Sequence, residues 1–266
     1  MKSLSKQYPK TYTYCIAIVL FGVSLIASTF INQGNIKKTF PYIATITLTI
    51  ATWFLYKREH KSLNHIGLNF KNIKLLPLGI CIGASIFLIA TYIRALYLGE
   101  QFHISNNINY QTISLALYTI LPTVAVEEFL FRGYLFKKTI EYTSTIKANI
   151  IFAIAFTAIH ILDENVLQKP TLLILLCTTI PIGHLLFATA LLKSNSLYLP
   201  IGIHLGNNWA TRHLITSSNN GESIFYITNT FTFTNWTSFI FFIIFWNTMY
   251  IIAIYCISKW KFSFFS

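Results

Sequence analysis

The sequence predicts an all-α membrane protein, a polytopic bundle of about eight transmembrane helices with both termini cytoplasmic. Three observations predict it. The 266 residues are 54% hydrophobic and 11% charged, with mean hydropathy +0.57, whereas soluble domains carry about a quarter charged residues. The apolar residues gather into segments that approach the roughly 20 residues needed to cross a hydrocarbon core. The basic residues, finally, fall unevenly on the connections between those segments.

Taken in order, the spans cover residues 12–31, 40–56, 75–98, 111–136, 148–162, 170–192, 196–216 and 236–258. The first follows MKSLSKQYPK and superficially resembles a signal sequence, but no small-residue cleavage site ends its run, so it reads as an uncleaved span. The second and fifth are short and are expected to tilt or to lie behind neighbours. Between the second and third, residues 57–74 mix Lys and Arg with Ile66, Leu68, Phe70 and Ile73, a pattern suited to a segment lying on the inner leaflet. Residues 217–235, before the last span, begin polar and turn aromatic and β-branched, as for a loop that dips back toward the membrane. Trp236 and Trp260 bracket the last span as interface anchors. No repeat or low-complexity tract appears, and the short loops leave no room for a second, soluble domain. Residues 1–266 therefore read as a single integral membrane domain.

The formal charge of +12 has a topological explanation. With the N-terminus inside and an even number of spans, fourteen Lys and Arg residues fall on the inner side. Outside are only Lys37, Lys38 and Lys169, while Arg94, Arg132 and Arg212 lie within spans. This is the positive-inside bias, with some attraction to anionic lipid, and it leaves nucleic acid no role. Arg94 and Arg212 are expected to snorkel to the outer surface. Cys15, Cys81, Cys177 and Cys256 lie in apolar segments without a CxxC pair, so neither a disulfide framework nor a thiolate metal site is indicated. Abundant Ile and Asn hint at an AT-rich bacterial genome, hence a bacterial cytoplasmic membrane.

Chemistry enters at residues 115–136, LALYTILPTVAVEEFLFRGYLF. An ionisable side chain at membrane depth is costly and marks a functional site by default, and adjacent carboxylates resist joint ionisation. Glu128 and Arg132 are i and i+4 and share a helix face. Glu127 lies about 100° round the helix and must find its partner on another helix. Two segments offer one. IIFAIAFTAIHIL places Phe156 and His160 on one face, and LYLPIGIHLGNNWA does the same for His204 and Asn208. In the second, Pro200, Gly202 and Gly206 would let a neighbouring backbone approach closely.

Glu127, Glu128, Arg132, His160, His204 and Asn208 together suit water-dependent hydrolysis. A carboxylate and an imidazole can deprotonate water and later protonate a leaving amine; a second imidazole and an amide can donate to an oxyanion. The same groups suit one Zn²⁺, with Glu127, His160 and His204 as ligands and an open position for water. Depth is an obstacle for His160: counted from Lys147 it stands about 20 Å up its helix, against about 15 Å for Glu127 above Lys138 and about 12 Å for His204 above Ser196. It needs tilt or an offset to meet the others.

In this order and on these spans, Glu127-Glu128-x-x-x-Arg132, Phe156-x-x-x-His160 and His204-x-x-x-Asn208 resemble the CPBP family of CAAX prenyl proteases and bacteriocin-processing enzymes, also called Abi. The resemblance covers residues 110–212, a motif-bearing core; the first three spans and the last carry no matching motif. It implies an eight-helix intramembrane endopeptidase with a cavity open to the cytoplasm or inner leaflet. It also implies that Glu127 and His160 activate water, that Glu128 and Arg132 support them, and that His204 with Asn208 stabilises the oxyanion. Asn207, beside Asn208, lacks the motif spacing. The zincin HExxH pattern is absent, which favours glutamate-activated water over a metal. The implied substrate is a leader peptide, a signalling peptide, or a prenylated or membrane protein. Two rivals stand beside this reading. One is a non-catalytic binding protein, for bacteriocin immunity or scaffolding a sensor kinase; the other is a proton-coupled transporter using the Glu pair as a relay. His184, in the sixth span, belongs to no motif, and His60, His65, His103 and His213 read as solvated.

Overall fold

A computed structural model describes residues 7–31, 33–228 and 235–261. Every expected span is a helix. In chain order they are α1 (Pro9–Ile31), α2 (Ile43–Arg58), α3 (Leu75–Leu98), α4 (Tyr110–Arg132), α5 (Tyr134–Tyr142), α6 (Thr145–Ile161), α7 (Pro170–Ser194), α8 (Tyr198–Trp209) and α9 (Trp236–Lys259). Among the described residues five helices are long and apolar enough to cross a membrane: α1, α3, α4 taken together with α5, α7 and α9. The remaining three fall short of that length, α2 at 16 residues, α6 at 17 and α8 at 12. Five of the eight expected crossings thus meet that length, and three shorter helices pack among them. Apolar side chains such as Ile18, Phe30, Ile50, Leu96, Ile154 and Ile240 point outward, whereas Glu128, Arg132 and His204 point inward. That inversion suits a lipid surround.

Local chemistry fixes the helix ends. Asn109, Ser144 and Asn235 each cap a helix by accepting a backbone N–H with the side-chain oxygen. Pro122, inside α4, lacks the N–H that would bond the carbonyl of Tyr118. That carbonyl instead accepts the Tyr42 hydroxyl at 2.8 Å, tying α4 to the start of α2. Gly133 breaks the helix between α4 and α5; a Cβ there would stand 2.2 Å from the Phe129 carbonyl oxygen. The chain then continues as α5 to Tyr142, beyond the expected end at residue 136.

That extension resolves the depth problem. The α5–α6 turn lies at Thr143–Ser144, and Glu127 precedes Ser144 by 17 residues while His160 follows it by 16. At about 1.5 Å per residue the two meet at one level of an antiparallel hairpin. The anticipated offset is therefore supplied by the length of α5.

The closest helix contact joins α3 and α8, which no motif announced. Cβ atoms added at Gly79, Gly83, Gly202 or Gly206 would fall 2.0–2.6 Å from backbone oxygens of the facing helix. Two small-xxx-small faces therefore seat directly on one another. The close approach expected of Gly202 and Gly206 is present, and its partner is Gly79-x-x-x-Gly83. Trp209 fastens α8 to α4 by donating its indole N–H to the Ile113 carbonyl at 2.9 Å.

The all-helical expectation needs one correction. β1 (Gln101–Ile104), β2 (Ile215–Thr216) and β3 (Phe225–Thr228) form a small sheet in the order β1-β3-β2. β1 and β3 are antiparallel, from Gln101 opposite Thr228 to Ile104 opposite Phe225, and β2 runs parallel to β3. The aromatic and β-branched stretch 224–228 has strand chemistry, but its partners lie more than a hundred residues away in β1 and next to α8 in β2. Of the loop expected to dip toward the membrane, residues 229–234 lie outside the described residues. His103, read as solvated, sits in β1 with its ring 3.4 Å from the Thr228 hydroxyl. Arg94 does not simply snorkel: it pairs with Glu100 at 3.1 Å.

Candidate functional site

Glu127 and Glu128 sit one turn before the end of α4, where it faces α6, α7 and α8. Glu128 and Arg132 are both fully buried and bonded, Nη1 to Oε1, at 3.1 Å. Arg132 is the bulkiest side chain to be fully buried among the described residues. Aromatic faces complete its surroundings, with the guanidinium 4.1 Å from the Phe156 ring centre and 5.1 Å from that of Phe187. A desolvated guanidinium gains most from such faces.

The same Glu128 oxygen stands 2.9 Å from His204 Nδ1. An ionised carboxylate only accepts, so Nδ1 carries the hydrogen and Nε2 turns to the other side. There Glu127 Oε2 lies 3.8 Å away. His160 repeats the arrangement on α6. Its Nδ1 lies 2.7 Å from the Phe156 carbonyl, which fixes Nδ1 as the donor, and its Nε2 lies 3.9 Å from the same Glu127 oxygen. Glu127 Oε2 is buried and has no hydrogen-bond partner. Three groups from three helices thus converge on one small space, none of them bonded directly to another across it.

Phe156 is the hub. Its ring meets His160 edge-on at 4.6 Å and lies 6.4 Å from both His184 and His204. On α7, Phe187 stacks on His204 at 4.6 Å with an interplanar angle of 16°. Sequence reasoning passed over Phe187 and left His184 outside every motif. Here they occupy one face of α7 at i and i+3, a spacing that was available as a signal. His184 is fully buried, and neither ring nitrogen has a partner. Glu128 Oε2 and Arg132 Nε and Nη2 are likewise buried and unpartnered.

Asn208 follows His204 by one turn on α8, half-buried, and its side chain makes no hydrogen bond among the described residues. Asn207 is occupied elsewhere, its amide oxygen accepting the Tyr250 hydroxyl of α9 at 3.3 Å. One π turn, Ala210–Leu214, follows directly.

The cluster as placed is slightly wider than a set of zinc ligands. Two ligand atoms held tetrahedrally at about 2.0–2.2 Å from Zn²⁺ stand roughly 3.3–3.6 Å apart, less than the 3.8 and 3.9 Å between Glu127 and the two imidazoles. Among the described residues no group of three His, Cys, Asp or Glu side chains has the geometry to hold a metal ion.

A family profile described as "Type II CAAX prenyl endopeptidase Rce1-like" matches residues 109–210. The motif-bearing segment is similar to that family. The match bears out the family resemblance read from the three motifs, over almost the same residues. The five apolar helices make the chain an integral membrane protein. No curated protein and no solved structure gives a significant match. The helices outside the Rce1-like segment, α1 to α3 and α9, supply the glycine seam under α8 and the Tyr250 contact with Asn207.

Proposed function

We propose that the protein is an intramembrane endopeptidase that hydrolyses a peptide bond near the cytoplasmic side of the membrane with water activated by Glu127 and His160. One observation carries the reading: the buried, unpaired Oε2 of Glu127 faces the Nε2 atoms of two imidazoles whose Nδ1 atoms are tied down. Such a space wants a donor of two hydrogen bonds. A water about 2.8 Å from both Glu127 Oε2 and His160 Nε2 fits their separation.

In the reaction, water gives a proton to Glu127 as its oxygen attacks the scissile carbonyl, forming the C–O bond and a tetrahedral oxyanion. His204, protonated, keeps one N–H on Glu128 and offers the other to that oxyanion. The Asn208 amide donates beside it. Collapse breaks the C–N bond, and the proton returns from Glu127, through His160, to the leaving amine. Glu128 and Arg132 act one step back: they hold the His204 ring and close the charge balance, two carboxylates against one guanidinium and one imidazolium. The substrate is a leader or signalling peptide, or a prenylated or membrane-bound one, brought to the site within the bilayer.

The test is proteolysis by purified protein in nanodiscs on isoprenylated and leader-type fluorogenic peptides, with and without chelator. Glu127→Gln and His160→Ala are expected to lower kcat/KM at least a hundredfold, and chelator to change little. Cleavage that survives both substitutions would remove these residues from the chemistry. A cellular phenotype that survives both would favour a binding protein. Loss of activity under chelator, restored by zinc, would reinstate the metal.

A further inference from the structure

A second built site lies away from the catalytic cluster, where the end of α3 meets the small sheet and α9. Two cavities of about 560 Å³ each adjoin there, sharing Arg94 and Phe242 in their walls. One is polar at its floor. Glu100, its side chain 2% exposed, takes Arg94 Nε and Nη2 on Oε2 at 3.3 and 3.1 Å, and its Oε1 is buried without a partner. Thr91, also 2% exposed, has a hydroxyl in the same condition. Arg94 Nη1 makes no hydrogen bond among the described residues. The other cavity is an apolar slot between Tyr97 and Leu98 of α3 and Phe241 and Phe245 of α9. None of the six residues of the catalytic cluster lines either cavity.

Buried polar atoms without partners are uncommon, and each calls for an explanation. Here a buried acceptor, a buried hydroxyl and a guanidinium edge without partners lie together in the wall of one cavity, beside a slot fit for a hydrocarbon chain. We propose that this bipartite cleft binds one phospholipid with a primary-amine head group. The ammonium donates to Glu100 Oε1, the phosphate accepts from Arg94 Nη1 and Thr91, and an acyl chain lies in the aromatic slot. The Arg94–Glu100 pair is itself a dipole, and a zwitterionic head set against it matches both charges. An anionic head leaves Glu100 opposed, and a trimethylated amine has no N–H to give.

The experiment incubates the full-length protein in detergent with an equimolar mixture of phosphatidylethanolamine, phosphatidylglycerol and phosphatidylcholine. It then quantifies retained lipid by native mass spectrometry. About one phosphatidylethanolamine per chain is expected, enriched at least fivefold over phosphatidylcholine. Glu100→Gln and Arg94→Gln are expected to bring that ratio to one. Should either fail to fold by circular dichroism, Phe245→Trp fills the slot and is expected to cut retention at least threefold with the polar pair intact. Equal retention of phosphatidylcholine, or enrichment unchanged in the variants, would overturn the proposal. Displacement of the lipid by free phosphoethanolamine at millimolar concentration would also overturn it, since a chain-bearing ligand must win.

Discussion

Arg132 and Tyr134 lie on either side of the Gly133 break and serve two charge clusters in opposite surroundings. Before the break, Glu128, Arg132 and His204 are sealed among Phe156 and Phe187, with the ion pair fully buried. After it, Glu59 accepts the Tyr134 hydroxyl and meets Lys138 at 2.5 Å. Lys61 bridges Glu59 and Glu141 at 3.4 and 3.5 Å, and His65 stands 3.6 Å from Glu141. The second cluster is a network that reaches from buried Lys138 and Tyr134 to the surface, with Lys61, His65 and Glu141 about a third open to solvent. The residue types are nearly the same, yet water reaches the outer members of one cluster and none of the ion pair in the other. The buried cluster should therefore behave as a unit, which loses most when one member goes, while the network loses members one at a time.

The largest effect tests that directly. Arg132→Met leaves Glu128, at zero exposure, with His204 as its one remaining partner and is expected to cost about 3–5 kcal/mol, read as loss of thermal stability in detergent. The double change Glu128→Gln with Arg132→Met removes both charges and should recover much of that loss. A single-variant cost below about 1 kcal/mol would break the comparison.

Next comes Gly83→Ala. Its Cβ would meet the Ile203 carbonyl oxygen at 2.0 Å, backbone against side chain. The α3–α8 seam must open, at a cost of about 1–3 kcal/mol. Because α8 carries His204 and Asn208, hydrolysis should fall further than stability does. Activity that tracks stability alone would remove the seam from the site's geometry.

Smaller still is Lys61→Ala, expected to cost under about 1 kcal/mol because the side chain is a third exposed. A larger loss would show that the network, too, acts as a unit.

The smallest effect is a pH dependence. Burial pushes the Glu59 carboxyl up, but hydrogen bonds from Lys138 and Tyr134 and the charges of Lys138 and Lys61 outweigh it and hold the group below its ordinary value. A depressed folded pKa contributes stability that is present above the unfolded value and lost as pH falls through the folded one. Wild type should therefore lose stability on acidification below the ordinary carboxyl range, and Glu59→Gln should flatten that part of the curve. An unchanged acid limb in the variant would assign the loss to other groups.

Much of the site was legible because its information is local. The i, i+4 spacing of Glu128 and Arg132 fixes their shared face on any helix, and the same holds for Phe156 with His160 and His204 with Asn208. A carboxyl in an apolar run announces its cost wherever the run folds. The fold class was legible for a similar reason, since composition and apolar length select lipid before any contact forms. His184 and Phe187 were not, because nothing along α7 says which of its faces turns toward α4. The strands were missed because β1 and β3 pair across more than a hundred residues, and an isolated four-residue run carries no register.

The sequence by itself determined that this is a helical membrane protein and which residues are candidates for its site, because helix periodicity and the cost of charge in lipid act within a single segment. Only the tertiary structure decided that Glu127 and His160 share one level, that Glu128 takes both Arg132 and His204, and that Gly79 and Gly83 seat α8 beneath the site. Those outcomes depend on where α5 turns and which helix faces meet. Such meetings are set by packing between segments far apart in the chain, which no single stretch of residues encodes.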